Sequence, residues 1–222
     1  MHVILMGPQG VGKGTQAGRI AGQVGLSHLS TGELFRAAIK AGTPLGVMAK
    51  KILDEGNLVP DDITLGIVET RLDEIAAERS AGGNVQGALF DGFPRTIPQA
   101  EGLDEMLAKR NESILAVIEI TAPRDVLVRR LSGRRVCPHC GWTYHIEFDP
   151  PKVDSICDNC GHTIVQRDDD TPEAIERRLS LYDQQTAPLL KYYADRGLLK
   201  TVDGNRDMES VSEDLIRTIN GN

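Results

Sequence analysis

Short apolar runs alternate with amphipathic stretches along the whole chain. His2 to Met6 is apolar, β-capable and closed by Gly7, and a helix is predicted from about Lys13 to Val24. Leu26 to Leu29 reads as a second short strand. Ser30 with Glu33 three positions on is a capping-box signal, and Leu34, Ala37, Ala38 and Ala41 continue at helical spacing. Gly42-Thr43-Pro44 interrupts that helix, and the next is predicted to run to Glu55. Pro60-Asp61-Asp62 opens a long helix with Ile63, Ile67, Val68, Leu72 and Ile75 on one face. Ala88 to Asp91 is a strand that turns at Gly92. Ser113 to Thr121 is the clearest strand, because Ile114, Leu115, Val117, Ile118 and Ile120 suit a sheet buried on both faces. Pro123 starts a helix that Gly133 ends. Thr171-Pro172 starts another, bent or interrupted at Pro188. Leu198 to Val202 is the last strand, and Ser210 with Glu213 caps the final helix.

This β-α-β-α order predicts an α/β fold of three layers, α/β/α, around a parallel sheet of about five strands. The stretch from Val136 to about Gln166 departs from it. It is rich in Cys, His, Pro, Gly and Asp, and it reads as a small module inserted between two helices of the core. No internal repeat and no low-complexity tract is visible.

Charge narrows the function classes. The 222 residues carry a formal net charge of −7, whereas non-specific nucleic-acid binding rests on excess positive charge. Of the 25 basic residues 17 are arginine, the side chain that offers phosphate a rigid two-pronged fork. The longest apolar runs, such as Ile114 to Ile118, fall far short of the roughly 20 residues of a membrane span. The first residues lack a basic segment and reach glycine too soon for a secretory signal. A soluble, cytoplasmic protein with no nucleic-acid or membrane partner is expected.

Four motifs carry chemistry. Gly7-Pro8-Gln9-Gly10-Val11-Gly12-Lys13 fits G-x-x-x-x-G-K between a strand and a helix, the setting of a phosphate-binding loop. Its glycines turn backbone N–H groups inward around an anion, the helix N-terminus adds a favourable dipole, and Lys13 supplies a mobile charge. Gly14 stands where a hydroxyl ligand for Mg²⁺ is usual, and Thr15 comes one position late, so a carboxylate elsewhere is expected to hold the metal through water. Asp91-Gly92-Phe93-Pro94-Arg95-Thr96 ends an apolar strand, where parallel sheets bind ligands. Asp91 there suits waters on Mg²⁺, and Arg95 suits a phosphate.

The third motif is an arginine series: Arg129, Arg130, Arg134 and Arg135, then Arg167, then Arg177 and Arg178. It flanks the inserted module and begins the next helix. Arg130, Arg134, Arg167 and Arg178 are placed to close over a polyphosphate; the competing reading is surface charge paired with Asp168, Asp169 and Asp170. The fourth is Cys137-x₂-Cys140, sixteen residues, Cys157-x₂-Cys160, a zinc-ribbon spacing that holds every cysteine of the chain. Four thiolates fill a tetrahedral shell, so a metal there is structural. Two disulfides or two redox dithiols are the rivals, disfavoured in a reducing compartment and outside a βαβ context. His139, His145 and His162 are possible substitute ligands.

Together these stretches, with Ser30-Thr31-Gly32-Glu33, Gly133-Arg134-Arg135-Val136 and Asp168-Asp169, resemble the adenylate kinase family in its long form with a metal-bearing lid. The resemblance covers nearly the whole chain. It implies a core (residues 1–29, 60–132 and 171–222), a helical nucleoside-monophosphate-binding insertion (30–59) and a lid (133–170). It implies that Gly10, Val11, Gly12, Lys13, Gly14 and Thr15 bind ATP phosphates, with Arg130 stacked on the ATP adenine and the backbone from Gly204 to Arg206 beside it. AMP would be held by Thr31, Arg36, Asn57, Val59, Gly92, Arg95, Gln99, Arg167 and Arg178. Lys13, Arg95, Arg134, Arg167 and Arg178 would act on the transferring group, with Asp91 on Mg²⁺ through water and Cys137, Cys140, Cys157 and Cys160 on Zn²⁺. The implied reaction is Mg·ATP + AMP ⇌ Mg·ADP + ADP, in a monomer. The alternatives are a kinase of the same fold acting on UMP, CMP or GMP, and a zinc-ribbon nucleic-acid-binding ATPase.

Overall fold

A computed structural model describes residues 1–54 and 57–221. Five parallel strands form the central sheet in the order β2-β3-β1-β4-β7: β1 (His2–Met6), β2 (Leu26–Ser30), β3 (Gly87–Asp91), β4 (Ile114–Thr121) and β7 (Leu199–Asp203). A parallel strand needs a crossover, and the helices that supply it cover both faces. Val3, Leu5, Ile118 and Ile120 point to one side, where they pack on α1 (Lys13–Ile20), α6 (Arg124–Ser132), α7 (Pro172–Leu181) and α9 (Met208–Ile219). Ile4, Met6, Phe90 and Val117 point to the other, against α4 (Asp61–Ser80), α5 (Ile97–Lys109) and α8 (Pro188–Ala194). Each fully buried large side chain contributes about 1.5–3 kcal/mol, so the two layers fix strand register and with it the loops at the strands' carboxyl ends.

The capping reading holds at Ser30, whose side chain accepts from Glu33 N at the start of α2 (Thr31–Lys40). It holds again at Thr171, which caps α7 before Pro172. A π-helical turn at Tyr182–Thr186 separates α7 from α8, which Pro188 starts. α3 (Pro44–Asp54) follows Thr43; its predicted end at Glu55 lies outside the described residues.

Four details differ from the sequence reading. The first helix stops at Ile20, and Gly22–Val24 forms a separate 3₁₀ turn. Leu115 is 47% exposed rather than buried, because a register shift against β1 falls between His2 and Val3 and leaves Leu115 unpaired. α4 serves two cores rather than one: Val68, Leu72 and Ile75 pack on the sheet, while Ile63 and Ile67 pack on Phe35, Ala49 and Val59. The final helix is capped by Asp207, which accepts from Ser210 N, and Ser210 itself lies inside it. Asp207 precedes Ser210 by three residues and starts the helix one turn earlier.

Between α6 and α7 stands the small module. Its two short strands, β5 (Arg134–Val136) and β6 (Thr143–His145), are antiparallel. Its core is Cys137, Tyr144, Cys157 and Ile164.

Candidate active site

The loop between β1 and α1 lies flat on α6. Gly10 has φ +85°, and a Cβ there would stand 2.9 Å from the Leu127 carbonyl oxygen, so only glycine fits. Lys13 folds back over this loop and donates to the carbonyls of Gly7 (2.6 Å) and Pro8 (2.9 Å). Burial pushes its ammonium down to about 8; Arg95, Arg178 and Arg134 push the same way and Asp91 opposes them. A bound polyanion would reverse that push. Gly12 caps α1, while Gly14 and Thr15 are exposed at its start and Val11 is buried. A Cβ on Gly14 would stand 3.2 Å from Asp91 Oδ2. The space of the missing hydroxyl thus adjoins a carboxylate from the neighbouring strand.

Asp91 sits between cations. Burial raises its pKa, but His28, Lys13 and Arg95 outweigh burial and hold the carboxyl below its usual range. His28 Nε2 lies 3.4 Å from Asp91 Oδ2.

The β2–β3 register pairs Ser30 with Asp91 and so brings Thr31 to Gly92. Thr31 Oγ1 donates to the Gly92 carbonyl at 3.1 Å, and Arg95 Nε to the same oxygen at 2.7 Å. Thr96 caps α5. Gln99 is buried, accepts from Arg95 N at 2.8 Å and donates to Asp61 Oδ1 at 2.7 Å. A narrow cavity opens here, lined by Thr31, Phe35, Val59, Gly92, Arg95 and Gln99 among others. Arg36 lies against Gly32; burial, then the nearby Arg167, lower its guanidinium to about 10. Asn57 is exposed and is not part of that lining.

Three arginines at the module's edges converge on two aspartates. Arg134 grips Asp170 through two bonds of 2.8 and 2.6 Å, and Arg178 reaches the same carboxylate at 3.0 Å. Arg167 grips Asp169 at 2.7 and 2.6 Å. The pairing with acidic neighbours weighed from sequence is therefore present, yet it is part-buried and turned toward the loop, since Lys13 feels both Arg134 and Arg178. Arg130 donates to the carbonyls of Val11 (3.4 Å) and Gly204 (3.0 Å), joining the phosphate loop to the β7–α9 turn. Arg129 and Arg135 do not join the cluster: Arg129 pairs with Glu147, and Arg135 with the carbonyls of Ser132 and Arg134. The Arg206 side chain is half-exposed and pairs with Asp214, away from the arginine cluster.

The module gathers its thiols. Cys137 and Cys160 sulfurs lie 3.4 Å apart and Cys140 and Cys157 sulfurs 3.5 Å apart, all four within 4.8 Å of one another. None is in a disulfide, whose S–S bond is about 2.05 Å. Gly141 and Gly161 take left-handed φ and donate back to the Cys137 and Cys157 carbonyls. His145 lies on Gly133 and is not part of this cluster; His139 and His162 stack on each other, 3.8 Å apart, and gather with Cys160.

Three residues were not visible from sequence: His28, which touches Asp91; Asp61, which holds both Gln99 and Thr96; and Thr186, which donates to the Arg95 carbonyl at 3.2 Å. Their partners stand 35 or more residues away, and no local signal marks them.

Among the described residues no helix is long and apolar enough to cross a membrane. The model of the adenylate kinase family matches residues 5–198. The chain is 51% identical to an adenylate kinase of Carboxydothermus hydrogenoformans over 95% of each chain. It is 47% identical to one of Caldanaerobacter subterraneus subsp. tengcongensis over its whole length and 97% of the relative. It is 48% identical to one of Staphylococcus epidermidis over 97% of each chain. The phosphate loop, the arginine-lined cleft and the full-length match agree, and this chain belongs to the adenylate kinase family.

Proposed function

We propose that the chain transfers a phosphoryl group reversibly between Mg·ATP and AMP, through the residues gathered around Lys13. The observation that carries this reading is the charge arrangement. Arg95, Arg178 and Arg134 lower the proton affinity of Lys13, Arg134 and Arg167 lower that of Arg178, and Asp91, Asp169 and Asp170 are the counterions these cations share across the cleft. Such a set is poorly balanced alone and well balanced around two nucleotides.

The acceptor is an AMP phosphate oxygen, already anionic near neutral pH, so no general base is required. The protein's work is alignment and charge stabilisation. In this reading the loop amides from Gly10 to Thr15 and Lys13 hold the ATP phosphates, and Arg130 and the Gly204–Arg206 backbone border its base. Thr31, Arg36, Asn57, Val59, Gly92, Arg95 and Gln99 hold AMP. Arg134, Arg167 and Arg178 leave Asp169 and Asp170 in part to meet the transferring group. Residues 30–59 and 133–170 act as the acceptor-binding insertion and the lid; Lys40 of the first donates to the His139 carbonyl of the second at 3.4 Å, which supports closure between them.

Asp91 fits a water-held Mg²⁺, since its carboxyl stays ionised and adjoins the open space at Gly14. Bound Mg²⁺ would neutralise charge on the donor phosphates. The four thiols fit Zn²⁺: a tetrahedron with bonds of about 2.3 Å has edges of about 3.8 Å, near the 3.4 and 3.5 Å found. A monomer in the cytoplasm, acting on ATP, AMP and ADP without nucleic acid or membrane, completes the reading; the acidic charge supports it.

A panel of monophosphate acceptors at saturating Mg·ATP tests it. AMP is expected to be phosphorylated far faster than UMP, CMP or GMP. A preference for UMP overturns the adenine assignment, and ATP hydrolysis independent of any acceptor overturns the reaction.

A further inference from the structure

We propose that His145 is the positioning residue that seats the lid on α6 and thereby sets Arg134 relative to Arg130. This inference rests on the phosphoryl-transfer reading above.

The imidazole is fully used. Its Nδ1 accepts from two backbone groups, Glu147 N and Phe148 N, each at 3.1 Å. That nitrogen therefore carries no proton, and the neutral ring keeps its proton on Nε2. Nε2 lies 3.3 Å from the Arg129 carbonyl and donates to it. The same carbonyl receives Gly133 N at 3.1 Å as α6 ends. One side chain of the lid thus finishes a helix of the core.

The seat is shaped for it. A Cβ at Gly133 would stand 2.3 Å from His145 Nε2 and 2.4 Å from Cε1, so only glycine leaves the ring its place. Ile146 N donates to the Gly133 carbonyl at 3.0 Å. Phe148 stacks on the imidazole at 4.3 Å, and the Arg129 guanidinium lies over Phe148 at 5.0 Å while gripping Glu147. The joint falls between two functional arginines: Arg130 is tied to Val11 and Gly204 of the core, and Arg134 starts β5 of the lid. Displacement at Gly133 therefore changes the separation of the group beside the ATP base from the group over the transferring phosphoryl. Errors of about 1 Å in such alignment cost up to 100-fold in rate.

The experiment compares zinc-loaded wild type with His145→Phe, His145→Gln and Gly133→Ala. Steady-state constants are measured separately for ATP and AMP. Phenylalanine keeps the ring and removes both nitrogens; glutamine keeps a donor toward the Arg129 carbonyl; alanine fills the seat. The expected result is at least a tenfold loss of kcat/KM for ATP in H145F and G133A, with KM for AMP within threefold of wild type. H145Q recovers part of the loss. Equal losses for both nucleotides with a lowered melting temperature, or constants within twofold of wild type in both H145F and G133A, overturn the proposal. Wild type inactive with AMP sinks the underlying reaction instead, so the two failures are distinct.

Discussion

Arg134 clamps Asp170 through two parallel N–H···O bonds of 2.8 and 2.6 Å, and Asp170 has no exposure to solvent. Arg178 takes the same carboxylate from α7. The pair ties the module's first strand to the turn that ends it. Removing one partner of a buried pair leaves a charge without compensation and costs about 3–5 kcal/mol. Asp170→Ala is expected to lose about 3 kcal/mol in urea unfolding, with faster amide exchange in residues 134–170. Stability within 0.5 kcal/mol of wild type, roughly the spread of neutral surface changes, contradicts a structural role for the pair.

Lys13 and Arg95 reach the cleft from beyond the ends of different strands, and among the described residues neither has a carboxylate partner as close as those of Arg134 or Arg167. Lys13→Ala and Arg95→Ala are each expected to lower kcat by about 100-fold or more while the far-ultraviolet circular dichroism stays that of wild type. Near-normal rates in a coupled assay for both variants would refute the assignment.

Burial holds the Lys13 ammonium at about 8 in the free protein. The protonated form is the one that attracts phosphate, so kcat/KM for ATP, which reports free-enzyme groups, is expected to fall as pH rises through about 8. A profile flat to pH 9.5 contradicts this. Bound ATP adds negative charge beside the lysine, so kcat itself is expected to fall only at higher pH.

His2 makes a pH-dependent contribution to stability. Its Nδ1 accepts from Ala88 N at 3.1 Å and its Nε2 lies 2.9 Å from Glu112, which Arg79 also holds. Burial lowers the His2 pKa from its ordinary value of 6.5. The unfolded chain therefore takes up a proton more readily than the native one. The contribution is complete above about pH 6.5 and is lost as pH falls below it, by up to about 1.4 kcal/mol per pH unit. His2→Asn is expected to flatten the pH 7.5 to 5.5 difference in unfolding free energy. An unchanged difference rules out His2 as its source.

Locally coded features were legible in the sequence. The glycines and Lys13 of the phosphate loop, the Cys-x₂-Cys pairs, the caps at Ser30 and Thr171 and the break at Pro188 each involve residues a few positions apart. What escaped depends on distant strands. The sheet order, the unpaired Leu115 and the divided allegiance of α4 follow from β1 and α2 as much as from their own residues. His145 illustrates the limit: its composition suggested a spare ligand, and its place on Gly133 follows only once α6 and β6 meet. Asp207 was passed over for a local reason, because Ser210 with Glu213 offered a competing cap one turn later.

The central claim is that one cleft holds a donor triphosphate and an acceptor monophosphate end to end. Calorimetric titration with two adenosines joined by five phosphates measures this directly. The account predicts saturable binding of one ligand per chain, weakened at least about 100-fold, or about 2.7 kcal/mol, in both Lys13→Ala and Arg95→Ala. The absence of binding to the wild-type protein, or binding that both variants leave unchanged, would contradict it.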